Sequence, residues 1–480
     1  MHCITIHTPM KPFLAILVFV TASAANADTK YFGIYVQGTK TGYSSEVVRP
    51  DHYEGHPAVR TDSQWINTMV IAGSTAKMIV NSTSWSSPDN RPIAETTEMK
   101  IGGRTIKIKA VFGPKTVEVD LDTGGTKSHK SIAIPEGPVF DDMIKVIHEK
   151  IPSPGQRFTY WSFESGSLAF QKVELDTIAS SMFKTGAEEI SAVLTEIKAE
   201  GATARVFTNA EGELVRKEFP LGMVLQSESK AVALAKPGKD EQPPDLVLIN
   251  SLKSDKPIDD ALHLSELKLR ISGDDLSAIP SDPGQSVTKD GDAWVVDVHP
   301  TRLADSVSAS IVQAEAGYEQ WAQPSLYMPS DSQKLRELAG KIVRKSKDVV
   351  AASLAIKQYV NKMMKPDMGI GVARDASQIL REKKGKCTDY AILTTTLMRA
   401  AGIPARVAVG LVTGDGTFYY HAWSEAWDGK RWIGIDSTID DEQLSACHIK
   451  LAEGNVEEGL KISYPIDPAK VKIEVLVARH

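Results

Sequence analysis

Cysteine is nearly absent from this sequence: three in 480 residues cannot build a disulfide framework, so any cysteine that matters is more plausibly chemical than structural. No apolar run reaches the roughly 18 residues that a membrane-spanning helix needs. No Lys/Arg-rich block stands out either. With 55 basic and 61 acidic residues the net charge is −6, so neither nucleic acid nor an anionic membrane surface is an expected partner. C-x-x-C pairs, EF-hand loops and phosphate-binding glycine loops in supporting context are also missing, which leaves no motif calling for a metal or cofactor. What remains is a globular composition, 42% hydrophobic and 24% charged, long enough for about three domains.

The first segment reads as an address. Lys11 precedes the apolar run Phe13–Val20, and small residues follow to Ala25-Asn26-Ala27, the layout of a secretory signal with an A-x-A cleavage site. Cleavage after residue 27 would remove Cys3 and Lys11, taking the net charge from −6 to −7 and leaving only Cys387 and Cys447. The expected product is exported, periplasmic or secreted, with no membrane insertion after processing.

Short alternating runs dominate residues 28–240. Ile106, Ile108 and Ala110 follow the Gly102-Gly103 turn, then come Val117, Val119 and Leu121, a pattern of antiparallel strands with one buried face. Phe140, Ile144, Ile147 and Ile151 interrupt it at helical spacing. A proline-rich linker at 236–244 introduces a second, smaller β-like stretch over 245–325. From 326 to 440 helical spacing takes over. Leu335, Leu338 and Ile342 form one stripe, Leu354, Ile356, Val360 and Met363 another, and Asp375 is placed to cap a third helix. The tail, 441–480, is expected to pack on this core, with Val471, Ile473, Val475 and Val477 alternating as a last strand.

Two apparent motifs fail on context. Ser74-Thr75-Ala76-Lys77 and Lys40-Thr41-Gly42 match S-x-x-K and K-T-G, but in the wrong order, and the serine leads into a strand-like run instead of opening a helix. His52 and His56 are separated by Gly55 and followed by Pro57, which disfavours the helix needed to put both imidazoles on one face.

The chemistry concentrates further on. Tyr390, Leu393, Leu397 and Ala401 mark a helix that Gly402 and Pro404 terminate, so Cys387 stands at its N-terminus, where backbone N–H groups and the dipole favour a thiolate. Downstream, Asp428-Gly429 separates two strand-like runs. Taking these as a two-residue turn sets Trp427 against Lys430, Trp423 against Gly434 and His421 against Asp436, with directly paired Cβ atoms about 4.5–5.5 Å apart. Thiol, imidazole and carboxylate make a nucleophile, a base and its orienter, the set used for amide acyl transfer.

These residues lie in four ordered blocks: Gly385-Lys-Cys-Thr-Asp-Tyr-Ala391, Gly402-Ile-Pro-Ala-Arg-Val-Ala-Val-Gly410, His421-Ala-Trp-Ser-Glu-Ala-Trp427 and Trp432-Ile-Gly-Ile-Asp-Ser-Thr438. Together they resemble the transglutaminase-like superfamily over roughly residues 330–440. The resemblance implies an α+β fold, a papain/transglutaminase-like catalytic core preceded by one or two antiparallel β-rich domains. It makes Cys387 the nucleophile, His421 the general base and acid, and Asp436 the orienter. A protein or peptide is then the implied substrate, with hydrolysis favoured over crosslinking. A non-catalytic peptide binder or scaffold that uses the β-rich region is the alternative. Cys447 reads as a small buried side chain, or as a thiol that pairs with Cys387 in an oxidising compartment.

Overall fold

The computed structural model describes residues 29–480 apart from 72, 124–126, 186–187, 200–201, 237–241, 308, 317, 326, 368–373, 456–467 and 469. The expected signal at 1–27 and the middle of the proline-rich linker lie outside the described residues. The chain divides into two compact units, one ending at Leu246 and the other beginning at Val247.

The first unit is one antiparallel sheet of fourteen strands. Strand Lys30–Val36 pairs on one side with Thr39–Tyr53 and on the other with Met223–Glu228. From there the meander runs outward in both directions, ending at Lys127–Ala133 and Arg157–Glu164. The alternation read from sequence holds: Ile106, Ile108, Ala110, Val117 and Val119 are all buried. Ser74 and Lys77 lie exposed on strand Ser74–Ser86, and His52 and His56 flank the Tyr53–His56 turn on paired strands. Helix Met143–Lys150, capped by the Asp142 side chain, buries Met143, Ile144, Val146 and Ile147 against the sheet's inner face. Just ahead of it, Pro138 and Phe140 exchange backbone hydrogen bonds with Trp161 of the edge strand.

That inner face is not purely apolar. Burial, reinforced by the neighbouring charges of Glu95 and Asp142, pushes the Asp141 carboxyl up to about 7. Burial likewise pushes Lys217 down to about 7, with Glu164 opposing. A carboxyl whose folded pKa is raised stabilises below its unfolded value, and that stability is lost as pH rises toward 7. A lysine whose folded pKa is lowered destabilises below 7 and is relieved as pH climbs from there toward 10.5. Both penalties are therefore full at neutrality. Thermal unfolding of the full chain should show the transition of this unit lowest near pH 7, by on the order of 5 °C relative to pH 5. Asp141→Asn should flatten the acid side of that dip; an unchanged profile would exclude Asp141 as its cause.

In the second unit, a five-stranded sheet carries Thr417–Trp427 between Leu252–Lys253 and Ala405–Thr413, with His448–Gly454 beyond and Trp432–Ile435 also pairing with Thr417–Trp427. Helices Gln333–Val343, Val349–Met363 and Ala376–Glu382 surround a central one, Cys387–Ala400. Three of them were legible as periodic stripes and Ala376–Glu382 by its Asp375 cap. The central helix differs in being buried nearly all round, including Thr394, Thr395 and Thr396.

The stretch 245–325, expected from sequence as a small β-rich linking domain, shares its sheet and its core with later parts of the chain. Its strands Glu266–Ser272, Gln285–Asp290 and Ala293–Val298 form a sheet completed by the tail strand Lys472–Arg479. Leu267, Leu269 and Val296 share one apolar cluster with Leu411, Phe418 and Ile449 of the core sheet. Three short strands have too little apolar surface to bury alone and borrow the neighbouring face. The tail is similarly woven in: His448–Gly454 is a strand of the core sheet itself, and Ile473 and Val475 are the buried residues of the last strand.

Candidate active site

Lys386, in extended conformation, precedes the first turn of the central helix, and its backbone N–H donates to Asp389 Oδ2 at 2.9 Å. Cys387 is therefore the first helical residue and is fully buried. Arg374 anchors this turn from an earlier segment. Its Nε donates to Asp389 Oδ1 at 3.1 Å and its Nη2 pairs with Asp389 Oδ2 at 2.7 Å, both residues being at most 2% exposed. Arg374 also pairs with Glu382 at 2.7 Å and donates to the Lys384 carbonyl at 2.9 Å. A Cβ at Gly385 would press on Asp389 Oδ2 and Arg374 Nη2, 2.5 and 2.6 Å away, so the pair lies against bare backbone just ahead of the cysteine.

His421 comes from the middle of strand Thr417–Trp427, where it pairs with Gly410. Its Nε2 and Asp436 Oδ2 are 2.8 Å apart. Nδ1 is buried and turned away from Asp436, and it is the nitrogen left to serve the Cys387 thiol, whose charge acts on the imidazole. Burial alone would pull the His421 pKa down; the Asp436 charge and hydrogen bond, aided by Cys387, hold it well above the ordinary histidine value. Asp436 responds in the opposite sense: burial would raise it, but His421 and then His448 keep it well below the usual carboxylate range. Cys387, His421 and Asp436, the three residues selected from sequence, are thus brought together.

The register that joins them is not the one expected. Trp427 pairs with Trp432, Glu425 with Gly434 and Ser424 with Ile435, so the strands are offset by two residues from the reading that set Trp423 against Gly434. The connection is a four-residue loop, because the buried Asp428 carboxylate accepts from the N–H groups of Lys430 at 2.8 Å and Arg431 at 2.7 Å. An even offset keeps every side chain on its face. Asp436, just past the end of its strand, consequently meets His421 diagonally instead of directly opposite it.

Three further contributors escaped the sequence reading. Thr438 donates to Asp436 Oδ1 through its backbone N–H at 2.8 Å and its hydroxyl at 2.7 Å, an arrangement that an Asp two residues before a Thr permits. Trp423 stacks on His421 with ring centroids 6.2 Å apart. His448, on the strand beyond Ala405–Thr413, approaches Asp436 Oδ2 with Nε2 at 3.2 Å. Gly410 makes room for that strand, since a Cβ there would collide with the Ile449 carbonyl oxygen. Cys447 and Cys387 are not joined in a disulfide, and both are buried. Cys447 instead contacts His448 Nδ1 at 3.4 Å.

His421, Asp436 and His448 place their donor atoms close enough to share a metal ion. Here, however, both Nε2 atoms already face the same carboxylate oxygen, so the arrangement suits proton sharing. A thiol beside a strongly basic, carboxylate-held imidazole at a helix N-terminus can form a thiolate–imidazolium pair and attack a carbonyl.

A family model of the transglutaminase-like superfamily matches residues 336–437, the segment holding all three catalytic candidates. An uncharacterized protein of Mycobacterium leprae is 28% identical over 136 residues, 26% of this chain and 47% of that protein, so the match spans about half of the relative's length. Among solved structures, a candidate cysteine protease from Cytophaga hutchinsonii is 20% identical with a TM-score of 0.31, covering 46% of this chain and 84% of that one. A β-barrel-like protein of a domain of unknown function from Brucella abortus is 5% identical with a TM-score of 0.32, covering 42% of this chain and 98% of that one.

Proposed function

With residues 336–437 forming a transglutaminase-like domain of the cysteine-enzyme type, we propose that the protein is an exported enzyme that cleaves amide bonds of a protein or peptide through a thioester. The observation that carries this reading is the hydrogen bond of His421 to Asp436 beside the Cys387 thiol at the head of the central helix. The Cys387 thiolate adds to the amide carbonyl, and the backbone N–H of Cys387, unused by the helix, is a donor for the developing oxyanion. The His421 imidazolium gives its proton to the leaving amine, and the neutral ring then takes a proton from the acceptor that opens the thioester. Asp436 stays ionised and holds the ring. Water is the proposed acceptor, and an amine in its place would crosslink. Export rests on the signal-like segment at 1–27.

The test is alkylation and partition. Iodoacetamide should modify Cys387 ahead of Cys447 in the intact protein, and amide substrates should release free amine and acid without incorporating an added fluorescent primary amine. Amine incorporation exceeding hydrolysis would make the protein a crosslinking enzyme. A Cys387 that resists alkylation across the pH range, together with peptide capture and no turnover, would establish the binding-protein reading instead.

A further inference from the structure

Oδ2 of Asp436 serves two imidazoles at once: Nε2 of His421 at 2.8 Å and Nε2 of His448 at 3.2 Å. The other ring nitrogen of His448 faces the Ser445 carbonyl oxygen at 3.2 Å and the Cys447 sulfur at 3.4 Å. A carbonyl oxygen only accepts, so Nδ1 carries a hydrogen. A carboxylate oxygen only accepts, so Nε2 carries one too. Acceptors at both nitrogens define an imidazolium. We infer that His448 is a positioning residue of this site, a second, standing cation that shares the orienting carboxylate with the base and thereby sets the protonation range of the Cys387–His421 pair. This inference rests on the enzymatic reading above.

The surroundings support a held charge. Asp436 is the carboxylate that faces the ring, from the segment after strand Trp432–Ile435. From the neighbouring strand come the His421 ring, with centroids 5.7 Å apart, and the Trp423 indole, edge-on at 5.3 Å. Cys387 lies across His421 at the head of the central helix. Lys357, on helix Val349–Met363, feels the Asp436 charge but spends its ammonium group on the carbonyls of Ile439 and Asp440. Lys450, two residues further along the strand of His448, is neutralised by Glu425 and Glu453. Burial lowers the pKa of His448, yet Cys447 and Asp436 together raise it to about 9.

Two charged imidazoles on one carboxylate repel each other, so His448 restrains the basicity of His421 while its field favours the thiolate. Loss of that charge should move both edges of the pair's working range toward higher pH. At 5.7 Å and an effective dielectric near 20 the displacement of the His421 edge should be about two pH units. His448→Gln keeps an N–H donor for Asp436 without the charge, and His448→Leu removes both.

The experiment is the pH dependence of iodoacetamide alkylation at Cys387, resolved by peptide mass spectrometry in the full-length protein, together with 15N spectra of histidine-labelled protein. The expected result is a His448 signal with both nitrogens protonated at pH 7.5, absent from His448→Gln, and an alkylation profile displaced upward in that variant. A neutral His448 at pH 7.5 would overturn the inference. So would a profile slower but not displaced, which marks a purely structural role. If Cys387 is not alkylated at any pH, the enzymatic reading fails, whereas the 15N spectra still report the charge of His448.

Discussion

Cys387→Ala should lower amide turnover by roughly four orders of magnitude or more, because without the nucleophile neither base nor oxyanion donor has an intermediate to act on. The side chain is small, fully buried and part of the apolar cluster that also holds Tyr390, Ala391 and Leu393. Replacing sulfhydryl by hydrogen therefore changes little volume, and the unfolding midpoint should stay within a few degrees of wild type. The two readouts separate chemistry from folding. Turnover and thermal unfolding measured on one preparation decide the matter: activity within tenfold of wild type would remove the thiol from the mechanism.

Arg374→Met should have the largest effect on stability. The guanidinium reaches Asp389, Glu382 and the Lys384 carbonyl from a position 1% exposed, and its removal strands the Asp389 carboxylate in the interior at 2% exposure. Breaking one partner of a buried pair costs about 3–5 kcal/mol, a large part of the roughly 5–15 kcal/mol that keeps a domain folded. Denaturant titration of the full chain should show an early transition of the C-terminal unit. Adding Asp389→Leu should recover part of the loss, since the stranded charge is then gone. A destabilisation under 1 kcal/mol would mean that water reaches Asp389 once the arginine is removed. Activity should fall along with stability, because Asp389 fixes the turn that presents the nucleophile.

Much of this was legible from residue order. Period-two alternation marked strands such as Arg104–Phe112, period-3.6 stripes marked Gln333–Val343 and Val349–Met363, and the spacing about Gly402 put Cys387 at a helix start. The choice of His421 and Asp436 survived a wrong register because the offset was even: an odd one would have turned the imidazole away from the acid. What escaped was contributed from elsewhere in the chain. Arg374 is 15 residues from Asp389 and carries no periodic signature of its role. His448 lies 12 residues beyond Asp436 in a stretch that read as tail.

The sequence by itself determined the alternation of strands such as Arg104–Phe112, the stripes of the longer helices, and the helix start that places Cys387. Those properties are written within one or two turns of chain, where side-chain period and cap chemistry act. Only the tertiary structure decided that Tyr31 pairs with Glu228, that the 245–325 strands close their sheet with the tail, and that one carboxylate oxygen serves two histidines. Such pairings are settled by which surfaces must leave water together once the whole unit collapses, a condition that no local window of sequence contains.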